Sequence, residues 1–143
     1  MLVLIRKLIR LPIRVKVLTV LVLFLSLYTT ILFRYFSKQA TFGKITRDMA
    51  DHDFVNRSII ADIAAAIRIV SMYAWWPNLC RHQAYQAKLV CQFYRIPYTI
   101  YVGFNRDDSS GQIQGHAWTI VSGRMITGRC NPADYLIHSV FVG

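Results

Sequence analysis

Cys80 and His116 are the residues whose types and settings suit covalent chemistry. Cys80 stands in Trp76-Pro77-Asn78-Leu79-Cys80-Arg81-His82-Gln83-Ala84, where a turn gives way to a helical pattern. His116 stands in Gly115-His116-Ala117-Trp118-Thr119-Ile120-Val121, which alternates like a strand. The positive end of a helix favours a thiolate, and a nearby imidazole takes the thiol proton. Such a pair acts on acyl groups through a thioester, with the histidine as base and then as acid for the leaving amine. A third group usually orients the imidazole. The strand expected after His116, Arg124-Met125-Ile126-Thr127-Gly128, has neither a carboxylate nor an amide, so Asp134 and Asn131 are the nearest candidates. Asp134 could equally cap the terminal segment, and Asn131 before Pro132 reads as a turn residue.

The elements around these residues follow from periodicity. Val55, Ile59, Ile63, Ala66, Ile67 and Val70 recur at helical steps and predict a helix over 55–73, closed by Trp75-Trp76-Pro77. Asn78 suits an N-cap for a second helix over 79–95, with Cys80 in its first turn and Ile96-Pro97 as its stop. Tyr98–Phe104, Gln114–Val121 and Arg124–Gly128 read as a β meander. Asn105–Gly111 is its polar connection and Ser122-Gly123 its tight turn. Tyr135–Val142 is an apolar edge strand or a short helix, and Thr41–Lys44 a loop. His82 and Cys91 read as structural, as does Cys130 just past the third strand. A zinc site is disfavoured because the cysteines and histidines lack paired-ligand spacing.

The N-terminal third differs in kind. Val17–Phe33 carries no charge, and the first 47 residues contain many lysines and arginines but no acid. The net charge of +10 is therefore concentrated there, and all seven acids are aspartates. Such a segment suits anionic lipid or an acidic partner. Nucleic acid fits poorly, because the basic residues flank an apolar run rather than interleave with aromatics. Val17–Phe33 approaches the roughly 17–25 residues of a membrane span, yet it could equally be a helix buried against the domain. Leu2, Ile5, Leu8 and Ile9 fall at helical spacing with basic residues between them and suit a membrane surface or packing on the domain. The chain divides into a basic hydrophobic segment, 1–44, and a domain, 45–143. Three cysteines cannot all pair within one chain, which fits a reducing cytosol. No small-residue cleavage site follows Phe33, so a cleaved signal is disfavoured.

As a set, Trp75–Gly128 resembles the transglutaminase-like maturation proteins of lasso peptide biosynthesis. In that family a Cys opens a helix and Gln-Ala follows; here these are Cys80 and Gln83-Ala84. Its Gly-Ile-Pro is Arg95-Ile96-Pro97, its apolar strand ending in Gly-Val is Tyr98–Phe104, and its Ala-His-Ala-Trp-Val-Glu is Gly115–Ile120. The resemblance implies an α+β, papain-like or transglutaminase-like cysteine peptidase core, with helices on a small antiparallel sheet and an N-terminal hydrophobic helix. It implies Cys80 as nucleophile and His116 as base in removing the leader from a ribosomally made precursor peptide, with no metal or cofactor. The family's Asp aligns near Gly128, so that member does not carry over; a backbone carbonyl or Asn131 would have to orient the imidazole. The implied partners are the precursor, a separate leader-binding protein, a peptide cyclase and the cytoplasmic face of a membrane. Two rivals stand beside this reading: a non-catalytic scaffold of the same fold, and transamidation or deamidation by the same nucleophile.

Overall fold

The computed structural model describes residues 11–36, 41–46, 56–106 and 111–143. The basic stretch at residues 1–10 and the middle of the 105–111 connection lie outside them. The described elements are helix α1 (Ile13–Tyr35), strand β1 (Lys44–Ile45), helices α2 (Arg57–Tyr73) and α3 (Cys80–Phe93), and strands β2 (Thr99–Arg106), β3 (Ile113–Val121) and β4 (Arg124–Thr127). A 3-10 turn (Pro132–Asp134) and strand β5 (Leu136–Val142) follow. This is the anticipated α+β arrangement, with the three helices packed on an antiparallel sheet of order β1-β5-β2-β3-β4.

Two strands differ from the sequence reading. The terminal segment is neither helix nor edge: β5 is inserted between β1 and β2. The Thr41–Lys44 loop runs into β1, whose Lys44 and Ile45 pair with Val142 and Phe141. A two-residue strand has no periodicity to read, and it forms only because β5 offers a ladder edge.

The helices have identifiable starts and stops. Asn56 caps α2 by accepting from the Ile59 amide at 3.4 Å. For α3 the cap falls one residue later than anticipated. Leu79 is the N-cap, and its amide donates to Nδ1 of His82 at 2.9 Å. This is half of a capping box, with imidazole in the role usual for Glu or Gln. Asn78 instead receives Nε2 of Gln83 on its carbonyl and Nε2 of Gln86 on its side chain, both at 2.9 Å. At the other end, the Arg95 amide donates to Gln92 O and the Ile96 amide to Cys91 O. That is a Schellman motif, and Arg95 occupies its left-handed position at φ 54. The resemblance puts glycine at this position, and the backbone conformation explains why.

α1 has two unlike faces. Val15, Leu18, Val22, Ser26, Thr29 and Leu32 are buried at three- and four-residue steps against α2 and α3. Leu18 and Val22 join the core formed by Ile60, Ile63, Ile67, Ala84, Val90, Ile100 and Val121. The opposite face leaves Val17, Val20, Phe24, Tyr28 and Ile31 exposed. The helix suggested by Val17–Phe33 thus packs on the domain along one side and presents apolar side chains along the other.

Candidate active site

Cys80 is the first residue of α3 and packs, half-buried, against the core. The loop that delivers it is stitched to α1. Nε1 of Trp76 donates to Ser26 Oγ at 3.2 Å, and Thr30 Oγ1 donates to the Pro77 carbonyl at 3.1 Å. Gln86, fully buried, spans Thr29 Oγ1 at 3.1 Å and Asn78 Oδ1. These bonds fix the chain just before Cys80 from three directions. They also explain why an apolar helix carries Ser26 and Thr29 on its buried side.

His116 is half-buried on β3. Its face of the strand carries Trp118, and it alternates with Ala117 and Val121, which lie in the core beneath the helices. Tyr135 stacks on the imidazole at 5.3 Å and Trp118 at 6.1 Å. Gly103 stands directly across the β2–β3 ladder. A side chain there would press on Leu136 O, the Trp118 ring and Tyr135 Cβ, so glycine keeps this aromatic cluster closed.

The imidazole is oriented by the main chain. Nε2 of His116 lies 2.9 Å from the Gly128 carbonyl. A carbonyl only accepts, so Nε2 carries the proton and Nδ1 keeps a free lone pair in the neutral ring. Gly128 has φ 64, and a Cβ there would run into Ala117 O and Trp118 Cα. Gly128, near which the resemblance places the family's aspartate, therefore has no room for any side chain. Neither Asp134 nor Asn131 bonds to His116; Asn131 Nδ2 donates to Asp134 Oδ1 at 3.0 Å, and its Oδ1 accepts from the Ala133 amide as the cap of the 3-10 turn.

Cys80 and His116 share no hydrogen bond in this structure. They are linked through the 128–135 segment, which carries Gly128 and Tyr135 on the His116 side. Cys130, in the same segment, has its thiol pushed up by burial, then by the charge of Asp134, then by Cys80. Cys130 is thus a neighbour of the candidate nucleophile. Cys91 is buried in the core with its thiol pushed up to about 12 by burial, which makes it inert. His82 serves the helix cap, and burial followed by Arg81 lowers its pKa. Among the described residues no group of three or more His, Cys or Asp side chains is placed to hold a metal ion.

A family model described as the transglutaminase-like superfamily matches residues 23–139, which is most of the chain. The chain belongs to the transglutaminase-like superfamily. The match starts inside α1 and ends inside β5, so it includes both Cys80 and His116. No match to the chain was found among curated proteins or among solved structures. Membership in this superfamily agrees in general with a cysteine-dependent enzyme, and it supplies the α+β fold described above. Of the two orienting groups that the sequence left open, a backbone carbonyl or Asn131, the structure has the carbonyl; that it belongs to Gly128, and that Tyr135 stacks on the ring, escaped sequence reasoning. The first is a backbone interaction, and the second depends on β5 entering the sheet beside β2.

Proposed function

We propose that this transglutaminase-like protein is a cysteine peptidase that removes the leader from a ribosomally made precursor peptide during lasso peptide maturation. The Cys80 thiol passes its proton to Nδ1 of His116, and the sulfur adds to the scissile carbonyl. The imidazolium then protonates the departing amine, leaving a thioester on Cys80. Water, deprotonated by the same imidazole, attacks the thioester and releases the acid and the thiol. The observation that carries this reading is the His116–Gly128 bond. It leaves Nδ1 as the basic nitrogen and replaces the carboxylate that the sequence lacks.

The working complex would contain the precursor, a leader-binding protein and a downstream cyclase, on the cytoplasmic side of a membrane. The exposed apolar face of α1 and the net charge of +10 support attachment to anionic lipid. The buried face is tied to the loop before Cys80, so α1 would lie along the bilayer surface with the domain resting on it. A second reading, a non-catalytic scaffold, is favoured by the packing of His116 in a three-ring cluster with Trp118 and Tyr135, as befits a structural aromatic ring.

The experiment is to incubate candidate precursor, leader-binding protein and enzyme, and to follow leader removal by mass spectrometry. Cys80→Ala should abolish cleavage. His116→Ala should slow it by about 10²–10⁴, the usual worth of a general base. Full cleavage by folded Cys80→Ala protein would end the peptidase reading. Cleavage by no form of the protein, with Cys80 alkylated equally fast in wild type and His116→Ala, would select the scaffold.

A further inference from the structure

A groove of about 470 Å³ adjoins the candidate site, between the C-terminal half of α2, the first turns of α3 and β4. Its volume falls within the roughly 300–1,000 Å³ of ligand sites. Gln83, one turn from Cys80, lines one wall, and Gly128, which holds His116, lines the other. Ile67 contributes apolar floor. Three exposed arginines surround the groove: Arg68 from α2, Arg124 from β4 and Arg129 beside Cys130.

Several of the other basic residues are engaged. Arg14 meets Asp62 at 3.5 Å, and Lys88 reaches the Thr41 carbonyl. Arg81 lies over the Phe33 ring and Arg34 over Tyr35. The guanidinium groups of Arg68, Arg124 and Arg129 have no hydrogen bond, ion pair or ring contact with any described residue. The described acids are already engaged, Asp62 with Arg14 and Asp134 with Asn131. Three cations around one concavity, with no partner among the described residues, produce a focused positive field, and guanidinium forks suit carboxylates in particular.

We propose that this groove is a substrate subsite for an acidic peptide segment, whose Asp or Glu carboxylates pair with Arg68, Arg124 and Arg129 while the scissile carbonyl lies at Cys80. The subsite rests on the reading of Cys80 as nucleophile, since only then is a peptide in the groove positioned for chemistry. It adds a substrate class to that reading: precursors acidic near the cleavage point. The arginines make no contact with the reacting atoms and act by positioning the peptide.

The test uses the full-length protein in neutral detergent and two rhodamine-labelled probes, hexaglutamate and hexaglutamine. Binding is followed by fluorescence anisotropy at low salt. Hexaglutamate should bind about tenfold more tightly, the sum of three exposed charge pairs. Arg68→Ala/Arg124→Ala/Arg129→Ala should lose that preference. The charge-matched variant Arg34→Ala/Lys44→Ala/Arg57→Ala should retain most of it, which separates a local subsite from general attraction to a basic protein. Saturating hexaglutamate should also slow iodoacetamide labelling of Cys80, read by peptide mapping. Equal losses in the two triple variants, equal binding of the two peptides, or undiminished labelling of Cys80 would each overturn the subsite. None of these readouts requires turnover. An inactive protein with intact, arginine-dependent binding would refute the peptidase reading alone, and an active one without it would refute the subsite alone.

Discussion

The two halves of the candidate site are held by different means. Cys80 is presented by side chains: Trp76, Gln86 and Asn78 tie its loop to Ser26 and Thr29 of α1, some fifty residues earlier in sequence. His116 is presented by backbone and rings: the Gly128 carbonyl, the β2–β3 ladder, Trp118 and Tyr135. A side-chain network reaches far and fails when a distant member is removed. A backbone bond within a hairpin is local and tolerates most substitutions, except where the backbone itself is changed. The thiol end should therefore respond to changes in the N-terminal helix, and the imidazole end should respond mainly to changes at Gly128.

Removing α1 is the strongest way to break this contrast. Val15, Leu18, Val22 and Leu32 are buried, and each is worth about 1.5–3 kcal/mol. Their sum is comparable with the net stability of a typical domain, about 5–15 kcal/mol. A protein beginning at residue 41 should lose its cooperative thermal transition in circular dichroism, whereas the full chain in detergent should keep it. A truncated protein that melts cooperatively at the same temperature would mean that α1 is an anchor and not a wall of the core.

Gly128 probes the other half. Aspartate here would put a carboxylate near the place where the resemblance expects one, but the residue needs φ 64 and its Cβ has no space. The left-handed conformation and the overpacking together should cost about 2–5 kcal/mol. We expect Gly128→Asp to lower the free energy of unfolding, read from urea titration, by that amount and to lower leader removal as well. A gain in cleavage would show that β4 can shift to admit a triad.

The same contrast explains which features were legible in the sequence. α2 and α3 were legible because Ile59, Ile63, Ile67 and Val70, and then Ala84, Ala87 and Cys91, repeat at helical steps toward one core. Strands β2 to β4 followed from alternation and from Ser122-Gly123, whose positive φ values at both residues form the tight turn. The position of β5 was hidden, because alternation reports a face and not a neighbour. The α3 cap was misplaced because Asn78 is the better capping residue by type, yet its side chain is engaged by Gln86. For α1, hydrophobicity alone could not choose between lipid and protein. Ser26 and Thr29 disclosed the inner face only once Trp76 and Gln86 were seen to bond them.

A milder cut isolates the stitching from the apolar packing. Gln86→Leu keeps the volume but leaves Asn78 Oδ1 without its donor, in a network where Asn78 Nδ2 and Gln86 Oε1 are already buried without partners. Loss of one buried partner costs about 1–3 kcal/mol. The urea midpoint should fall accordingly. Iodoacetamide should alkylate Cys80 at a changed rate, while the NMR ring shifts of His116 stay fixed. Coupled movement of both sites would erase the distinction between the two halves.

The smallest expected effect is one of pH, and it acts on the thiol half alone. His82 is buried, its Nδ1 accepts from the Leu79 amide, and the Phe33 ring meets it edge-on at 5.2 Å. Protonation of Nδ1 would remove the acceptor that caps α3 directly before Cys80. Burial, and then Arg81, lower its pKa below the ordinary 6.5, so on acidification the unfolded chain takes up this proton before the folded one. The contribution of neutral His82 is therefore complete above about pH 6.5 and declines as pH falls through that value toward the lowered folded pKa. Thermal midpoints should drop between about pH 8 and pH 5 by more in wild type than in His82→Gln, which keeps a capping acceptor that does not titrate. Parallel curves for the two proteins would show that His82 does not govern the acid response. The helix start that carries Cys80 would then be held by Gln83, Gln86 and the α1 stitching, without the imidazole cap.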